Sequence, residues 1–333
     1  MHKAIINLKW HKFAVENDKY MSKVTVVGAG NVGSTVANVL AHKDFLNEII
    51  LLDIKEGTAE GKSLDTWQQA PIDYYSTKVV GVTNDYTRTA GSDVVVITSG
   101  LPRKPGMSRD DLISVNAGIV KSVTEQVIKY SPQAIIIVVS NPLDVMTYCA
   151  FLTAKIDSKR VFGMAGILDT ARYRAFLAEA LNCSPKDIQA VLMGGHGDTM
   201  VPLPRYTTVA GIPVTEMIDE EKLNAIVQRT KSGGGEIVNL LGTSAWYAPG
   251  AAAAQMVEAI VKNEQRIFPC CVMLNGEYGL KDIYLGVPVK LGKNGIEQII
   301  ELKLNSEEMT LLQNSAVAVK EVMSVLDKMN VGS

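Results

Sequence analysis

The stretch KVTVVGAGNVGSTVANVLAHKDFLNEIILLD, residues 23–53, decides the fold of the chain. It contains two short apolar runs, residues 24–27 and 49–52, which have the length and composition of buried strands. Between them lie the glycine-rich turn Gly28–Gly33 and a segment with a helical pattern, Ser34–Lys43. This order predicts a strand, a tight turn, a helix and a second strand that ends at Asp53.

The glycines of this turn have the spacing of a dinucleotide-binding motif. Gly28 permits the tight turn, Gly30 lets the backbone approach a pyrophosphate without a Cβ atom in the way, and Gly33 lets the helix pack against the strand. The free N–H groups and the dipole at the helix start favour a phosphate. We therefore predict a dinucleotide site whose turn comprises Gly28, Ala29, Gly30, Asn31, Val32 and Gly33.

Asp53 indicates which dinucleotide binds. It follows the glycine turn at the distance expected of an acid that accepts hydrogen bonds from the ribose hydroxyls, and its charge would repel a 2′-phosphate. This favours NAD over NADP as the cofactor. Lys55 weakens the inference slightly, because a cation at that position could pair with a phosphate.

Length and composition set broad limits on the function. The 333 residues are enough for about two domains, and the formal net charge of −2 gives no reason to expect nucleic acid or a membrane as a partner. The four cysteines show no metal-ligand spacing, so we expect reduced thiols in a cytoplasmic protein and no metal site. Residues 1–20 lack the pattern of a signal or transit peptide. We expect the working protein to begin near Met21, after a leader that is either disordered or an artefact of the chosen start.

Strand-like runs rich in Val and Ile alternate with helical patterns up to about residue 165. This alternation predicts an α/β protein that begins with a Rossmann-type, doubly wound parallel sheet, whose ligand lies at the carboxyl ends of the strands. The pattern then changes to longer helices and separate strands, which predicts a second domain of α+β type. The predicted boundaries are 21–165 for the NAD-binding domain and 166–330 for the substrate-binding domain.

His196 lies among glycines after a predicted strand, in the sequence GGHGD, residues 194–198. A histidine in such a loop can titrate near neutral pH, although alone it could be a loop residue without a catalytic role. Asp169 and Arg172 are three residues apart on a predicted helix and therefore share a face. A carboxylate that orients the histidine and a guanidinium that binds a substrate carboxylate explain this pair better than a helix cap and a surface charge do.

The stretch LPRKPGMSR, residues 101–109, follows the fourth predicted strand at the cofactor edge. Prolines and a glycine around three cations suggest a loop that closes over an anion. A solvated basic loop, compensated by Asp110 and Asp111, explains the composition equally well.

With these motifs in order, the chain from about Met21 to Met329 resembles the lactate/malate dehydrogenase family. The matching segments are Gly28–Gly33, Asp53, Pro102–Arg109, Val139–Pro142, Asp169–Arg172 and Gly194–Gly197. Within the family, Gly233–Val238 and Tyr247–Pro249 resemble the lactate-dehydrogenase-like branch of malate dehydrogenases. The resemblance implies NAD-dependent oxidation of malate to oxaloacetate within the tricarboxylic acid cycle, with L-lactate dehydrogenase as the alternative, and a homotetramer, with a dimer as the alternative.

The resemblance also implies a role for each matching residue. His196 would accept the proton, Asp169 would hold its tautomer, Arg172 would bind the C1 carboxylate, Arg109 would polarise the carbonyl, and Arg103 would bind the second carboxylate that distinguishes malate from lactate. The remaining expected contacts are Asn141 to substrate and cofactor, Ser244 to substrate, and Asn116, Val139 and Ser140 to NAD. A rival from another class, an NAD-dependent glycosidase, would need a metal site, for which the sequence shows no Cys/His constellation. A non-catalytic nucleotide sensor would have no need for His196, Asp169 and Arg172 together.

Overall fold

A computed structural model of the chain describes residues 22–101 and 109–329. The first half alternates strands and helices. Its strands are β1 Lys23–Val27, β2 Glu48–Asp53, β3 Lys78–Thr83, β4 Val94–Ile97, β5 Ile135–Val138 and β6 Val161–Gly163. Its helices are α1 Asn31–Lys43, α2 Thr58–Asp73, α3 Arg109–Tyr130 and α4 Leu143–Ala154.

The six strands form a parallel sheet in the order β3-β2-β1-β4-β5-β6. Every residue of the central strands β4 and β5, VVVI and IIIV, is buried, as expected for parallel strands covered on both faces. The strand order reverses between β1 and β4, which opens a crevice at the carboxyl ends of these strands. The predicted doubly wound sheet is confirmed.

The second half begins with helix α5 Gly166–Leu181 and extends the same sheet. Its further helices are α6 Glu220–Leu241, α7 Tyr247–Val261 and α8 Ser306–Asp327. Its strands are β7 Ile188–Gln189, β8 Leu192–Gly194, β9 Met200–Pro202, β10 Thr208–Val209, β11 Ile212–Pro213, β12 Arg266–Asn275, β13 Lys281–Gly292 and β14 Gly295–Ile299.

The two halves are joined because β12 pairs antiparallel with β6 through Cys271 and Gly163. The sheet then continues through β13, β8 and β9, and Gly286 of β13 pairs with Gly194 at the end of β8. A glycine is needed at position 286, because a Cβ atom there would lie 2.4 Å from the carbonyl oxygen of Gly194. This pairing fixes the start of the loop that carries His196.

Some elements differ from the sequence prediction. The single strand predicted before His196 is two short strands, because β7 pairs with β10 in a separate small sheet while β8 pairs with β13. Helix α2 was not predicted, since it exposes Leu64 and Trp67 and contains Pro71 near its end. Helix α8 begins with a reciprocal capping box formed by Asn305 and Glu308.

Candidate active site

In the glycine turn between β1 and α1, backbone segments pass very close to one another. The N–H of Gly28 donates to the carbonyl of Leu52, and Gly28 has a φ of 105°. A Cβ atom at Gly33 would lie 1.8 Å from the carbonyl oxygen of Gly28, so α1 could not pack there with any larger residue. A Cβ atom at Gly30 would meet no described atom within 4 Å. Packing of the described residues therefore does not explain a glycine at this position, whereas a ligand that lies against the backbone does.

The N-terminus of α1 has the properties of an anion site. Its N-cap is Gly30, no described side chain caps it, and its first turn contains no acidic residue. By contrast, α8 is capped by a side chain and has two acidic residues in its first turn. The unpaired N–H groups of α1 and its dipole fit a pyrophosphate.

Asp53 and Lys62 form hydrogen bonds with the two backbone polar groups of Ala29 in this turn, its N–H and its carbonyl. Asp53 Oδ2 accepts a hydrogen bond of 2.6 Å from the N–H of Ala29, and Oδ1 accepts one of 2.9 Å from the N–H of Lys55. The ammonium of Lys62, on α2, donates to the carbonyl of Ala29 at 2.7 Å. Burial lowers the pKa of Lys62, and the charge of Asp53 opposes that shift.

Asn116 braces the loops after β4 and β5. It is buried, its Oδ1 accepts from the N–H of Leu101 at 2.8 Å, and its Nδ2 donates to the carbonyl of Asn141 at 2.7 Å. Val139 and Ser140 are also buried. The N–H of Val139 donates to the carbonyl of Ile97 at the end of β4, and the hydroxyl of Ser140 donates to the carbonyl of Ser99 in the loop that follows. These contacts hold Asn141, which is exposed, at the carboxyl edge of the sheet.

His196, Asp169 and Arg172 form the connected group that the sequence predicts. The imidazole Nδ1 of His196 lies 2.9 Å from Asp169 Oδ2, and Arg172 Nη1 lies 3.3 Å from Asp169 Oδ1. The Asp169 side chain is only 2% exposed and that of His196 is 20% exposed. Because Asp169 occupies Nδ1, the other ring nitrogen, Nε2, is left to meet a substrate.

The electrostatic surroundings of His196 favour its protonated form. Burial alone would lower the pKa of its imidazole, but the charge of Asp169 and the hydrogen bond to it, together with the charge of Asp144, raise the pKa above its usual value. Arg172 opposes this shift. A base with a raised pKa holds a transferred proton well, which suits reversible proton transfer.

Two hydrogen bonds from backbone N–H groups to distant side chains also hold the loop of His196, and the sequence did not predict them. The N–H of Gly195 donates to Ser315 of α8 at 2.8 Å, and the N–H of His196 donates to Asp144 of α4 at 3.0 Å. A cavity of about 480 Å³ brings together Asn141, Asp144 and His196. Asp144 lies three residues after the predicted site residue Asn141, and this proximity could have drawn attention to it. No pattern in the sequence pointed to Ser315.

Arg172 lies against the glycine run of α6. A Cβ atom at Gly233 would lie 2.4 Å from Arg172 Cδ, so the glycine makes room for the arginine stem. Ser244 is exposed in the connection between α6 and α7, next to Ala245, which lines the same apolar pocket as Arg172 and Gly233. No contact of Ser244 with His196 or Asp169 is present among the described residues.

Arg103 and the rest of its loop, residues 102–108, lie outside the described residues, as does the side chain of Arg109, whose backbone begins α3. Within residues 22–101 and 109–329, no cluster of three or more His, Cys, Asp or Glu side chains is placed to hold a metal. The four cysteines are free, and three of them are buried. None of the described helices is both long and apolar enough to span a membrane.

Two family models together match almost the whole described chain. Residues 22–163 match the NAD binding domain of lactate/malate dehydrogenase, and residues 167–328 match the α/β C-terminal domain of the same family. The chain belongs to the lactate/malate dehydrogenase family.

Individual relatives are similar over nearly their full length. The malate dehydrogenase of Cytophaga hutchinsonii is 72% identical over 92% of this chain and 98% of its own. The structure of malate dehydrogenase from Salinibacter ruber has 54% identity and a TM-score of 0.89, over 92% of this chain and 98% of that one. The lactate dehydrogenase of Cryptosporidium parvum, solved with lactic acid and β-nicotinamide adenine dinucleotide, has 38% identity and a TM-score of 0.88 over the same shares. The fold is therefore common to malate and lactate enzymes.

Proposed function

We propose that the protein is an NAD-dependent malate dehydrogenase that interconverts (S)-malate and oxaloacetate. The observation that carries this proposal is the chain of contacts from His196 through the buried Asp169 to Arg172. The family models and the relative from Cytophaga hutchinsonii confirm the sequence prediction of this activity and of NAD as the cofactor.

The residues at the carboxyl edge of the first sheet fit NAD. The backbone of Gly28–Gly33 and the N-terminus of α1 would hold the pyrophosphate. Asp53 uses its two oxygens on backbone N–H groups, and a carboxylate has further lone pairs for ribose hydroxyls. Asn116, Val139 and Ser140 would support the nicotinamide end through the loops that they brace. When bound, NAD supplies the hydride acceptor.

The residues of the second half would handle the proton and the substrate charge. In the oxidation of malate, the hydroxyl proton passes to Nε2 of His196 while hydride leaves C2. Asp169 stabilises the imidazolium that forms and fixes the tautomer of the neutral ring. Arg172 would bind the C1 carboxylate through two N–H groups, and Asn141, in the same cavity as His196, would contact the substrate oxygen. Arg109 would polarise the carbonyl, and Ser244 would lie at the substrate side.

The choice of malate over lactate depends on a second cation. Oxaloacetate carries a carboxylate that pyruvate lacks, and the sequence places Arg103 in the loop that resembles the family's specificity loop. Arg103 paired with the second carboxylate would be stabilised, whereas over pyruvate it would lose water without gaining a partner. A site built for a charged group can reject the analogue that lacks it by roughly 10⁴–10⁵.

A steady-state assay with NADH tests the function directly. We expect a large preference for oxaloacetate over pyruvate in kcat/KM, and we expect Arg103→Gln to reverse much of it. Equal reduction of both substrates by the unmodified protein would contradict the proposed specificity, and a preference for pyruvate would favour a lactate dehydrogenase. Binding of NADH without reduction of either substrate would favour a nucleotide sensor or another chemistry.

His196→Asn should keep NADH binding and lose about 10²–10⁴-fold in kcat.

We also propose a cytoplasmic homotetramer, with a dimer as the alternative. Large apolar side chains exposed on the single chain support association. They are Ile54, Leu64, Ile72, Tyr74, Leu240 and Tyr247. Where such side chains adjoin one another on the surface, they commonly mark a protein interface. Light scattering on the purified protein would give the mass of the assembly and decide between the two sizes.

A further inference from the structure

Asp144 is a buried acid beside the proposed base. It lies in the first turn of α4 and is only 7% exposed. Its Oδ2 accepts the hydrogen bond from the backbone N–H of His196 at 3.0 Å. Its Oδ1 is buried and accepts no hydrogen bond from an N–H or O–H group of the described residues, and the thiol of Cys271 is the polar group that interacts with the carboxyl group from β12. A buried carboxylate with so few partners is costly to the fold, so its retention needs an explanation other than packing.

The position of α4 suggests that explanation. The helix begins directly after Asn141 and Pro142, at the cofactor edge of the first half. The loop of His196 follows β8 in the second half. The bond from His196 to Asp144 therefore joins the two parts of the site and sets how far the base lies from Asn141.

The charges around His196 come from several elements. Asp169 and Arg172 face it from α5, and Asp144 faces it from α4. The thiol of Cys271, on β12, lies close enough to Asp144 for each group to affect the pKa of the other. Asp198 belongs to the same loop as His196 but is exposed to solvent. Asp144 is thus the second buried carboxylate near the imidazole, after Asp169.

We propose that Asp144 is a positioning residue for the base: it fixes the backbone of His196 at the edge of the cavity and places a second negative charge beside the imidazole. Asp169 then holds the ring while Asp144 holds the main chain. Burial raises the pKa of Asp144 above its usual value, and the hydrogen bond from His196 and the charge of His196 oppose that shift without cancelling it. This inference rests on the proposed function, since it concerns the same base.

A titration of His196 by nuclear magnetic resonance tests the charge, in the full chain without cofactor. The chain has four histidines, and loss of one signal in His196→Asn identifies the resonance. Asp144→Asn keeps an oxygen for the N–H of His196 but removes the charge. We expect the pKa of His196 to fall in this variant. An unchanged pKa in folded Asp144→Asn, with a normal melting temperature, would overturn this part of the proposal.

Asp198→Asn is the matched control. It removes a carboxylate two residues from His196 that lines the same cavity but is exposed. Water screens an exposed charge much more than a buried one, so the pKa of His196 should stay close to that of the unmodified protein. A fall in Asp198→Asn as large as that in Asp144→Asn would mean that any nearby charge has this effect, and it would overturn the special role of Asp144.

Kinetics test the positioning. A small displacement of a catalytic group can cost about 10²-fold, so we expect kcat with oxaloacetate to fall about 10- to 100-fold in Asp144→Ala, with an unchanged Kd for NADH. Asp144→Asn should lose less, because it retains the backbone bond. Full turnover in a folded Asp144→Ala would contradict the proposal. Failure of the unmodified protein to reduce oxaloacetate would instead refute the proposed function, and the titration would still report on Asp144.

Discussion

The side chain of Arg172 packs directly against the backbone of Gly233, and any residue larger than glycine would occupy the same space. A Cβ atom at Gly233 would lie 2.4 Å from Cδ and 3.0 Å from Nε of Arg172. The arginine is mostly buried, with its side chain 12% exposed, and it also binds Asp169. The guanidinium is therefore held from two sides, by a carboxylate at its tip and by the backbone of α6 along its stem.

We expect Gly233→Ala to displace Arg172 and to lower kcat/KM for oxaloacetate by about 10- to 100-fold, because a misplaced substrate clamp weakens orientation. Most of the loss should be in KM, and the Kd for NADH should not change. Gly235→Ala is the control, since a Cβ atom there meets nothing within 4 Å. On the same helix it should raise stability by about 0.5–1 kcal/mol and leave KM unchanged. Equal KM values in the two variants would contradict this account.

Asp169→Asn should change the pH dependence of malate oxidation. His196 must be neutral to accept a proton, so activity falls as the pH drops through its pKa, which Asp169 keeps high. Without that charge, burial lowers the pKa, and the acidic limb of the kcat/KM profile should move to lower pH. The rate itself should fall about 100-fold or more, because the tautomer is no longer fixed. An acidic limb that stays in place would show that Asp169 does not set the pKa of His196.

Several site residues could be predicted from the sequence, because each lies in a short motif whose residue types suit a particular chemical task. The strand ends at Asp53 and Asn141, and the helical spacing of Asp169 and Arg172, follow from local periodicity. Asp144, Lys62 and Gly233 could not be found in this way. Each acts on a backbone group or a side-chain stem that is distant in the chain. The bond between Asp144 and His196 also requires that β12 joins β6, so that the two halves share one sheet.

Asp53→Ser should narrow the preference for NADH over NADPH, because it removes the charge that a 2′-phosphate would meet. It should also weaken both cofactors, since Asp53 supports the glycine turn through Ala29. Asp53→Asn separates the two effects, because it keeps an oxygen for the N–H of Ala29 while losing the charge. We expect it to narrow the preference with less loss of NADH affinity, as measured by fluorescence titration. Comparable use of both cofactors by the unmodified protein would refute this role.

Lys62→Met should weaken NADH binding without changing the substrate site. The ammonium of Lys62 donates to the carbonyl of Ala29, and Asp53 accepts from the N–H of the same residue, so the two charged groups fix one residue of the glycine turn that we propose binds the pyrophosphate. A hydrogen bond from a charged donor contributes about 1.5–3 kcal/mol, and partial exposure reduces this, so the Kd for NADH should rise about 10-fold.

Because burial lowers the pKa of Lys62, the lysine loses its charge at a lower pH than usual. The affinity of the unmodified protein should therefore decline at alkaline pH, and that of Lys62→Met should not. Lys55→Met is the matched control, since Lys55 is exposed and contacts Asp53 through its backbone N–H. If Lys62→Met binds NADH as tightly as Lys55→Met does, the clamp on Ala29 has no part in holding the cofactor.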